Sequence, residues 1–397
     1  MTRAARFLRA VHQAAASRPA LVASLLVAVS LLGWTVTEVI PRYAVERHRQ
    51  EGPGRLDHPT FLIGDCAYYR ATLVSLLEDR DLDIANNLAR QRYPIAGNVA
   101  RGRHGEFYPK HPILLAVVAL PFYVVAGDIG LLAFNLAQLA ALVLVLWLGA
   151  RRYAANEAAA ALTLWYAFGT MLRPAAYNFA PDVLSTLLVA GGFVALLYGR
   201  AALAGAVLGF SLWAKWTNAV FVPVVLVGLT LRRDWRGLLR LCAGAALPVA
   251  GLLALNWHMF GSPLVTPYDR VLIAENRRWT VEPSHRTFFT VPFWSGLWTQ
   301  LSDRRLGLVA AAPPVLLALP GFVALYRRAR ADALLLGAAC AAQLAMFAKY
   351  DQWNVSSYGP RFLLSVVALS ALPAAAALAF LLTRARGRGV VDVDAAP

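Results

Sequence analysis

Asp65 stands in the hexapeptide Gly64-Asp65-Cys66-Ala67-Tyr68-Tyr69, and the mixed apolar and charged spacing of Arg70 to Asp83 predicts a helix lying along a membrane surface. A carboxylate there suits general-base chemistry, in which it takes the proton of an attacking hydroxyl. It equally suits capping that helix, because Asp is favoured at a helix start and the helix dipole favours negative charge there. Further on, Tyr108-Pro109-Lys110-His111-Pro112 places Lys110 and His111 in a turn stiffened by two prolines. These two could hold an anion at the membrane surface, or the lysine could simply snorkel to the boundary.

Other charged residues pose the same choice. Arg173-Pro174, Tyr177-Asn178 and Pro181-Asp182 form a polar segment in which Asp182 opens an apolar run. An ionisable group costs ~2.5–3.5 kcal/mol at the bilayer centre, so Asp182 either faces a polar cavity or caps its helix at the interface. Lys215 interrupts an apolar region within Trp213-Ala214-Lys215-Trp216-Thr217-Asn218 and reads as a buried cationic anchor rather than a snorkelling side chain. Two later motifs carry arginine: Gln300-Leu301-Ser302-Asp303-Arg304-Arg305-Leu306-Gly307, and Trp353 to Leu363 with Tyr358-Gly359-Pro360-Arg361. A planar guanidinium makes paired hydrogen bonds to phosphate, which suits Arg305 and Arg361 to an anionic headgroup. A structural salt bridge to Asp65, Asp182 or Asp351 is the competing role.

The elements that must position these residues follow from composition. The chain has 397 residues, 59% hydrophobic and only 15% charged, which excludes an ordinary soluble domain and predicts a polytopic membrane protein. Apolar stretches near the ~20 residues needed to cross a ~30 Å hydrocarbon core predict helices over 20–40, 130–149, 154–172, 181–199, 201–217, 218–231, 238–258, 306–326, 332–348 and 361–383. The first, preceded by Arg3, Arg6, Arg9 and Arg18, reads as a retained signal anchor rather than a cleaved peptide. A cytoplasmic N-terminus then places Arg151-Arg152, Arg200, Arg232-Arg233 with Arg236, Arg327-Arg328 with Arg330, and Arg384, Arg386 and Arg388 on the inner side, as the positive-inside rule requires. The segment 113–127, about 15 residues with Pro121, would invert every later loop if it crossed, and is read as re-entrant or interfacial. Long outer loops at 41–129 and 259–305 remain. The net charge of +16 lies in clusters between apolar segments, so it marks topology and not nucleic acid. Cys66, Cys242 and Cys340 have no C-x-x-C spacing.

With these motifs in order, the chain resembles the GT-C class of membrane glycosyltransferases, especially bacterial relatives of protein O-mannosyltransferases and aminoarabinose transferases. The resemblance rests on Gly64-Asp65 with Tyr68-Tyr69, Tyr108 to Pro112, Asp182, Lys215, Arg305-Leu306-Gly307 and Ser357-Tyr358-Gly359-Pro360-Arg361. It implies an all-α polytopic GT-C-like bundle of about ten transmembrane helices over 1–383, interfacial helices in the first outer loop, and a short cytoplasmic tail over 384–397. It further implies a sugar on a polyprenyl phosphate as donor, with Asp65 as base. Cys66-Ala67 departs from the family pattern, where an acidic residue follows the aspartate, and this puts a metal-binding acidic pair in doubt. The large C-terminal extramembrane domain of some relatives is not in this sequence, so acceptor recognition is expected of the outer loops.

A polyprenyl phosphate is a good leaving group that needs cations more than a general acid. The expected reaction is therefore a single inverting displacement with Asp65 as base; Lys110, Lys215 and Arg361, then His111 and Arg305, bind donor phosphate. Tyr68, Tyr69, Asp182 and Tyr358 are expected around the substrate cavity. No cofactor is expected. A divalent metal is not supported by ligand spacing, since His48, His58, His104, His111, His258 and His285 include no i, i+4 pair. The expected partners are the polyprenyl-phosphate sugar, a lipid, glycan or protein acceptor and membrane lipids, in a bacterial inner membrane. The rival readings are a transporter or flippase for lipid or lipid-linked glycan, and a noncatalytic scaffold.

Overall fold

A computed structural model describes residues 19–50, 60–62, 64–91, 97–275, 278–283, 288–354 and 358–385. Arg3, Arg6, Arg9, Arg18, His58, His285, Ser357, Arg386 and Arg388 lie outside the described residues. The N-terminal helix α1 (Pro19–Trp34) runs through a π turn, Thr35–Val39, into α2 (Ile40–Gln50). The loop between α2 and α5 holds α3 (Asp65–Val74), α4 (Ala85–Gln91), β1 (Val99–Arg101) and β2 (Phe107–Pro109). The bundle continues with α5 (Leu114–Ala150), α6 (Asn156–Phe168), the single turn α7 (Leu172–Ala175), α8 (Pro181–Leu197), α9 (Ala201–Ala214), α10 (Phe221–Leu231) and α11 (Trp235–Phe260). β3 (Val271–Glu275), β4 (Arg278–Glu282) and α12 (Phe293–Ser302) lie between α11 and the C-terminal helices. The chain ends with α13 (Leu308–Ala311), α14 (Ala318–Arg328), α15 (Arg330–Phe347) and α16 (Leu364–Ala385). Among the described residues, five helical stretches are long and apolar enough to cross a membrane, and 181–197, 201–214 and 216–231 are shorter apolar helices. The chain is a multi-pass membrane protein.

One expected helix is interrupted, and the segment read as re-entrant joins the next helix through a sharp bend. The segment 113–127 is helical but bends sharply into the rest of α5 at Ala126 (φ −141°, ψ 17°) and Gly127 (φ 57°, ψ −139°). The second of these conformations is open essentially only to glycine. Past the bend the chain doubles back: the Phe122 and Phe134 rings lie 5.2 Å apart, where a straight helix would separate twelve residues by ~18 Å. Gly130 packs so tightly there that a Cβ would fall 1.9 Å from the Phe122 carbonyl oxygen. The first arm therefore reaches only ~18 Å, short of a ~30 Å core. The expected single helix over 306–326 is corrected to α13, a 3₁₀ turn Pro313–Leu317 and α14. Pro313 and Pro314 have no amide hydrogen to continue the helix, and Ala312 is non-helical (φ −146°, ψ 64°).

The small four-stranded sheet was not expected. Its order is β2-β1-β3-β4, with every pairing antiparallel, and Ala100 pairs with Val271. The two long loops, 41–129 and 259–305, therefore lie at the same end of the bundle. The second arm of α5 and the full helices α6, α8, α9, α10 and α11 separate them, with the single turn α7 among these. The opposite end is tied by Asp332, which accepts from the Tyr153 hydroxyl at 2.9 Å and pairs with Arg152 at 3.4 Å and Arg232 at 3.8 Å. There Tyr198 also donates to the Leu148 carbonyl at 2.8 Å.

Small residues set the packing. Gly205 and Gly209, four apart on α9, let α11 approach until a Cβ on Gly205 would lie 1.9 Å from the Leu241 carbonyl oxygen, the close-backbone contact of helix pairs in lipid. The alanine-rich α16 is buried from Leu364 to Ala377 and packs against α5, α6, α8, α14 and α15. This central helix delivers Arg361 to the end of the bundle that carries the sheet and Asp65.

Candidate active site

Gly64 precedes α3 with φ 65° and ψ −132°, a glycine conformation that turns the chain so that Asp65 opens the helix. Both carboxylate oxygens are engaged. Arg361 Nη2 donates to Oδ2 at 2.9 Å, and His111 Nε2 lies 3.5 Å from Oδ1. Arg361 comes from the 3₁₀ turn Arg361–Leu363 ahead of α16, 296 residues away in sequence. His111 comes from the stiff turn between β2 and α5.

The imidazole is held by aromatic neighbours. Tyr69 stacks on it with ring centres 5.4 Å apart, and its Nδ1 lies 3.1 Å from the Tyr268 hydroxyl. Tyr268 sits in a 3₁₀ turn, Pro267–Asp269, fixed by the Asp269 carboxylate, which accepts from the Thr266 amide at 2.9 Å and the Thr266 hydroxyl at 2.7 Å. Lys110 reaches back to the Gly97 carbonyl at 2.5 Å and Asn98 Oδ1 at 3.3 Å.

A second pair stands beside the first. Asp182, at the first turn of α8 and 3% exposed, is bound by Lys215 from the end of α9. Lys215 and Arg361 share the Phe362 ring, lying 5.3 and 5.0 Å from its centre. Tyr358 is close to Asp182 and Arg361, with the Asn178 side chain as hydrogen-bond partner.

The electrostatics follow from this geometry. Burial pushes the Asp65 carboxyl up, but His111, Arg361 and Lys110 outweigh it and hold the group well below the ordinary carboxylate range. Burial pushes Lys110 and His111 down, opposed in each case by Asp65. Tyr69, Tyr268 and Tyr358 are pushed up by burial, so they stay protonated as hydrogen-bond donors. Lys110, Lys215 and Arg361 thus face Asp65 and Asp182, an arrangement with cationic excess. Among the described residues, Arg361 Nε, the Tyr69 hydroxyl and Trp216 Nε1 are buried donors without a hydrogen-bond partner. Such a cluster can bind an anion beside a carboxylate that remains ionised.

Of the residues singled out from sequence, Asp65, Lys110, His111, Lys215, Arg361, Tyr69, Asp182 and Tyr358 come together. Tyr68 points away into a small core with Ala71, Ile84, Leu88, Val99 and Leu272, and its hydroxyl partners Asn98. Arg305 is exposed in a turn fixed by the Asp303 carboxylate, and among the described residues it makes no ion pair or hydrogen bond with the cluster. Sequence reasoning missed Tyr268, although Thr266-Pro267-Tyr268-Asp269 carries a turn signal, Thr three residues before Asp, that fixes an aromatic residue in the second outer loop. Among the described residues no three His, Cys, Asp or Glu side chains gather as metal ligands would.

Comparison with known proteins bears on the whole assembly. The family model of glycosyltransferase family 87 matches residues 110–349, which include Lys110, His111, Asp182, Lys215 and Tyr268. No curated protein sequence matches the chain. The fold is similar to the crystal structure of ArnT from Cupriavidus metallidurans bound to undecaprenyl phosphate, with TM-score 0.53 and 15% identity over 89% of this chain and 62% of that one. The apo state of the same protein gives TM-score 0.52 and 16% identity over 81% and 56%. The chain therefore spans less than two thirds of the length of ArnT. The likeness establishes the GT-C-like helical fold expected from the motifs.

Proposed function

The chain belongs to glycosyltransferase family 87, and on that premise we propose that it transfers a sugar from a polyprenyl phosphate to an acceptor hydroxyl at the outer end of the bundle. The observation that carries the reading is the meeting of Asp65 with Arg361 and His111, brought from three distant parts of the chain to one point. The ArnT structure of similar fold holds undecaprenyl phosphate, which supports a polyprenyl-linked donor here.

In this reading the donor phosphate enters beside Arg361, whose Nε has no partner and whose Nη2 holds Asp65. Lys110 and Lys215 add positive charge as the sugar–phosphate bond breaks and charge develops on the leaving phosphate. The acceptor hydroxyl attacks the anomeric carbon from the opposite face, and Asp65 takes its proton. Asp65, held ionised, is a weak base, but it is asked for the proton only as the new bond forms and the hydroxyl becomes acidic. Asp182 is already engaged by Lys215, which supports one displacement with inversion over a double displacement through a second carboxylate. The cationic side chains supply the charge compensation a metal would otherwise give.

We place the site on the extracytoplasmic face of a bacterial inner membrane, with both termini cytoplasmic and 1–383 acting as one membrane domain. Arginines at the Asp332 end support that orientation. The test is transfer of label from a panel of polyprenyl-phosphate sugars to native membrane extract by the protein in vesicles, followed by NMR of the new linkage. An inverted linkage made from at least one donor is expected; retained configuration would overturn the single displacement, and no transfer from any donor would overturn the donor class.

A further inference from the structure

A groove of about 680 Å³ runs along the bundle between α10 and α15, far from the Asp65 cluster. Its walls are apolar, with Val227, Leu231 and Leu334 more than half exposed. Its floor is made where Gly228 meets Leu335, close enough that a Cβ on Gly228 would lie 3.1 Å from Leu335 Cδ1. At the end nearest Asp332 it is closed by Arg232 and Arg330.

These two arginines hold spare charge. Asp332 is already bound by Arg152 and the Tyr153 hydroxyl, so Arg232 has it only at 3.8 Å while donating to the Ala331 carbonyl. Arg330 rests over the Tyr326 ring at 5.2 Å and, among the described residues, makes no ion pair. An apolar channel at membrane depth that ends in two under-compensated guanidinium groups matches one ligand shape, an acyl chain joined to an anionic headgroup. The volume falls in the ~300–1,000 Å³ range of small-molecule sites.

We infer that this groove binds an anionic phospholipid of the leaflet at the Asp332 end, with its phosphate on Arg232 and Arg330 and an acyl chain along α10. The polyprenyl donor is a poorer occupant. Its phosphate belongs with Lys215, sixteen residues up the chain from Leu231 or ~24 Å along a helix. The exposed walls, Val227, Leu231 and Leu334, belong to apolar helices of a multi-pass membrane protein, which favours a lipid over a soluble partner.

The experiment is native mass spectrometry of delipidated full-length protein titrated with palmitoyl-oleoyl phosphatidylglycerol or phosphatidylcholine. Wild type should retain one phosphatidylglycerol with about fivefold or greater preference. Arg330→Glu should erase the preference, and Ala338→Phe, which fills the groove, should abolish retention of both lipids. Leu247→Phe, on an exposed face of α11, should bind as wild type does, and unchanged melting temperatures would show that each variant folds. Equal retention of the two lipids by wild type, wild-type binding by either groove variant, or displacement of phosphatidylglycerol by stoichiometric undecaprenyl phosphate would overturn the inference.

Discussion

Taking the guanidinium from Arg361 removes the closest cation from Asp65 and one proposed phosphate ligand together. Arg361→Ala should raise the KM for donor at least tenfold, about the worth of a charge-assisted hydrogen bond, as read in initial-rate kinetics. It should also move the pH profile. The depressed Asp65 carboxyl favours the folded state above the ordinary carboxylate range, and that contribution is lost as pH falls through the lower folded value. Wild-type kcat/KM should therefore show no acid limb from Asp65 down to about pH 4, whereas in Arg361→Ala the limb should move up to the ordinary value of ~3.9 or beyond. Asp182 and Lys215 test a different balance. Lys215→Met leaves a buried carboxylate uncompensated and should cost roughly 3–5 kcal/mol in a detergent unfolding assay. Adding Asp182→Leu should recover most of that stability without recovering donor affinity. Asp65, Asp182, Lys110, Lys215 and Arg361 were legible because a charge beside an apolar run needs a reason to be there. Tyr268 was not, because an aromatic residue at a membrane boundary has a ready structural role, and only folding brings it to His111.

Helices were readable where length and apolarity decide the outcome, and unreadable where the backbone does. Hydropathy over 306–326 is continuous, but the amide hydrogens missing at Pro313 and Pro314 break the run. The sheet escaped notice because its strands are three to five residues long and the partners Ala100 and Val271 lie far apart in sequence. The bend in α5 was visible only as a segment too short to cross. Its dependence on Gly127 makes a sharp prediction: Gly127→Ala should cost ~1–3 kcal/mol, read as a lower melting temperature, even though a Cβ there meets no neighbour. Glycine-like stability in that variant would mean the bend tolerates an ordinary backbone.

At the scale of the whole molecule, charge and contacts divide the bundle into two ends. A membrane-impermeant thiol reagent applied to vesicles should label His104→Cys and Val281→Cys from one side and Arg328→Cys from the other, with Cys242 replaced because it is exposed. Labelling of the first two from opposite sides would contradict the shared sheet. Chelation should leave transfer unchanged, since the account assigns charge compensation to Lys110, Lys215 and Arg361; loss of activity with EDTA and its return with a divalent ion would reassign that role. The central claim is that Asp65 accepts the proton in transfer, and donor affinity measured beside single-turnover rate in Asp65→Asn tests it most directly. The rate should fall by about 10²-fold or more, the usual worth of a positioned base, with donor bound at least as tightly because Arg361 is released from its carboxylate. A variant that transfers sugar at the wild-type rate would show that Asp65 only anchors Arg361 and His111.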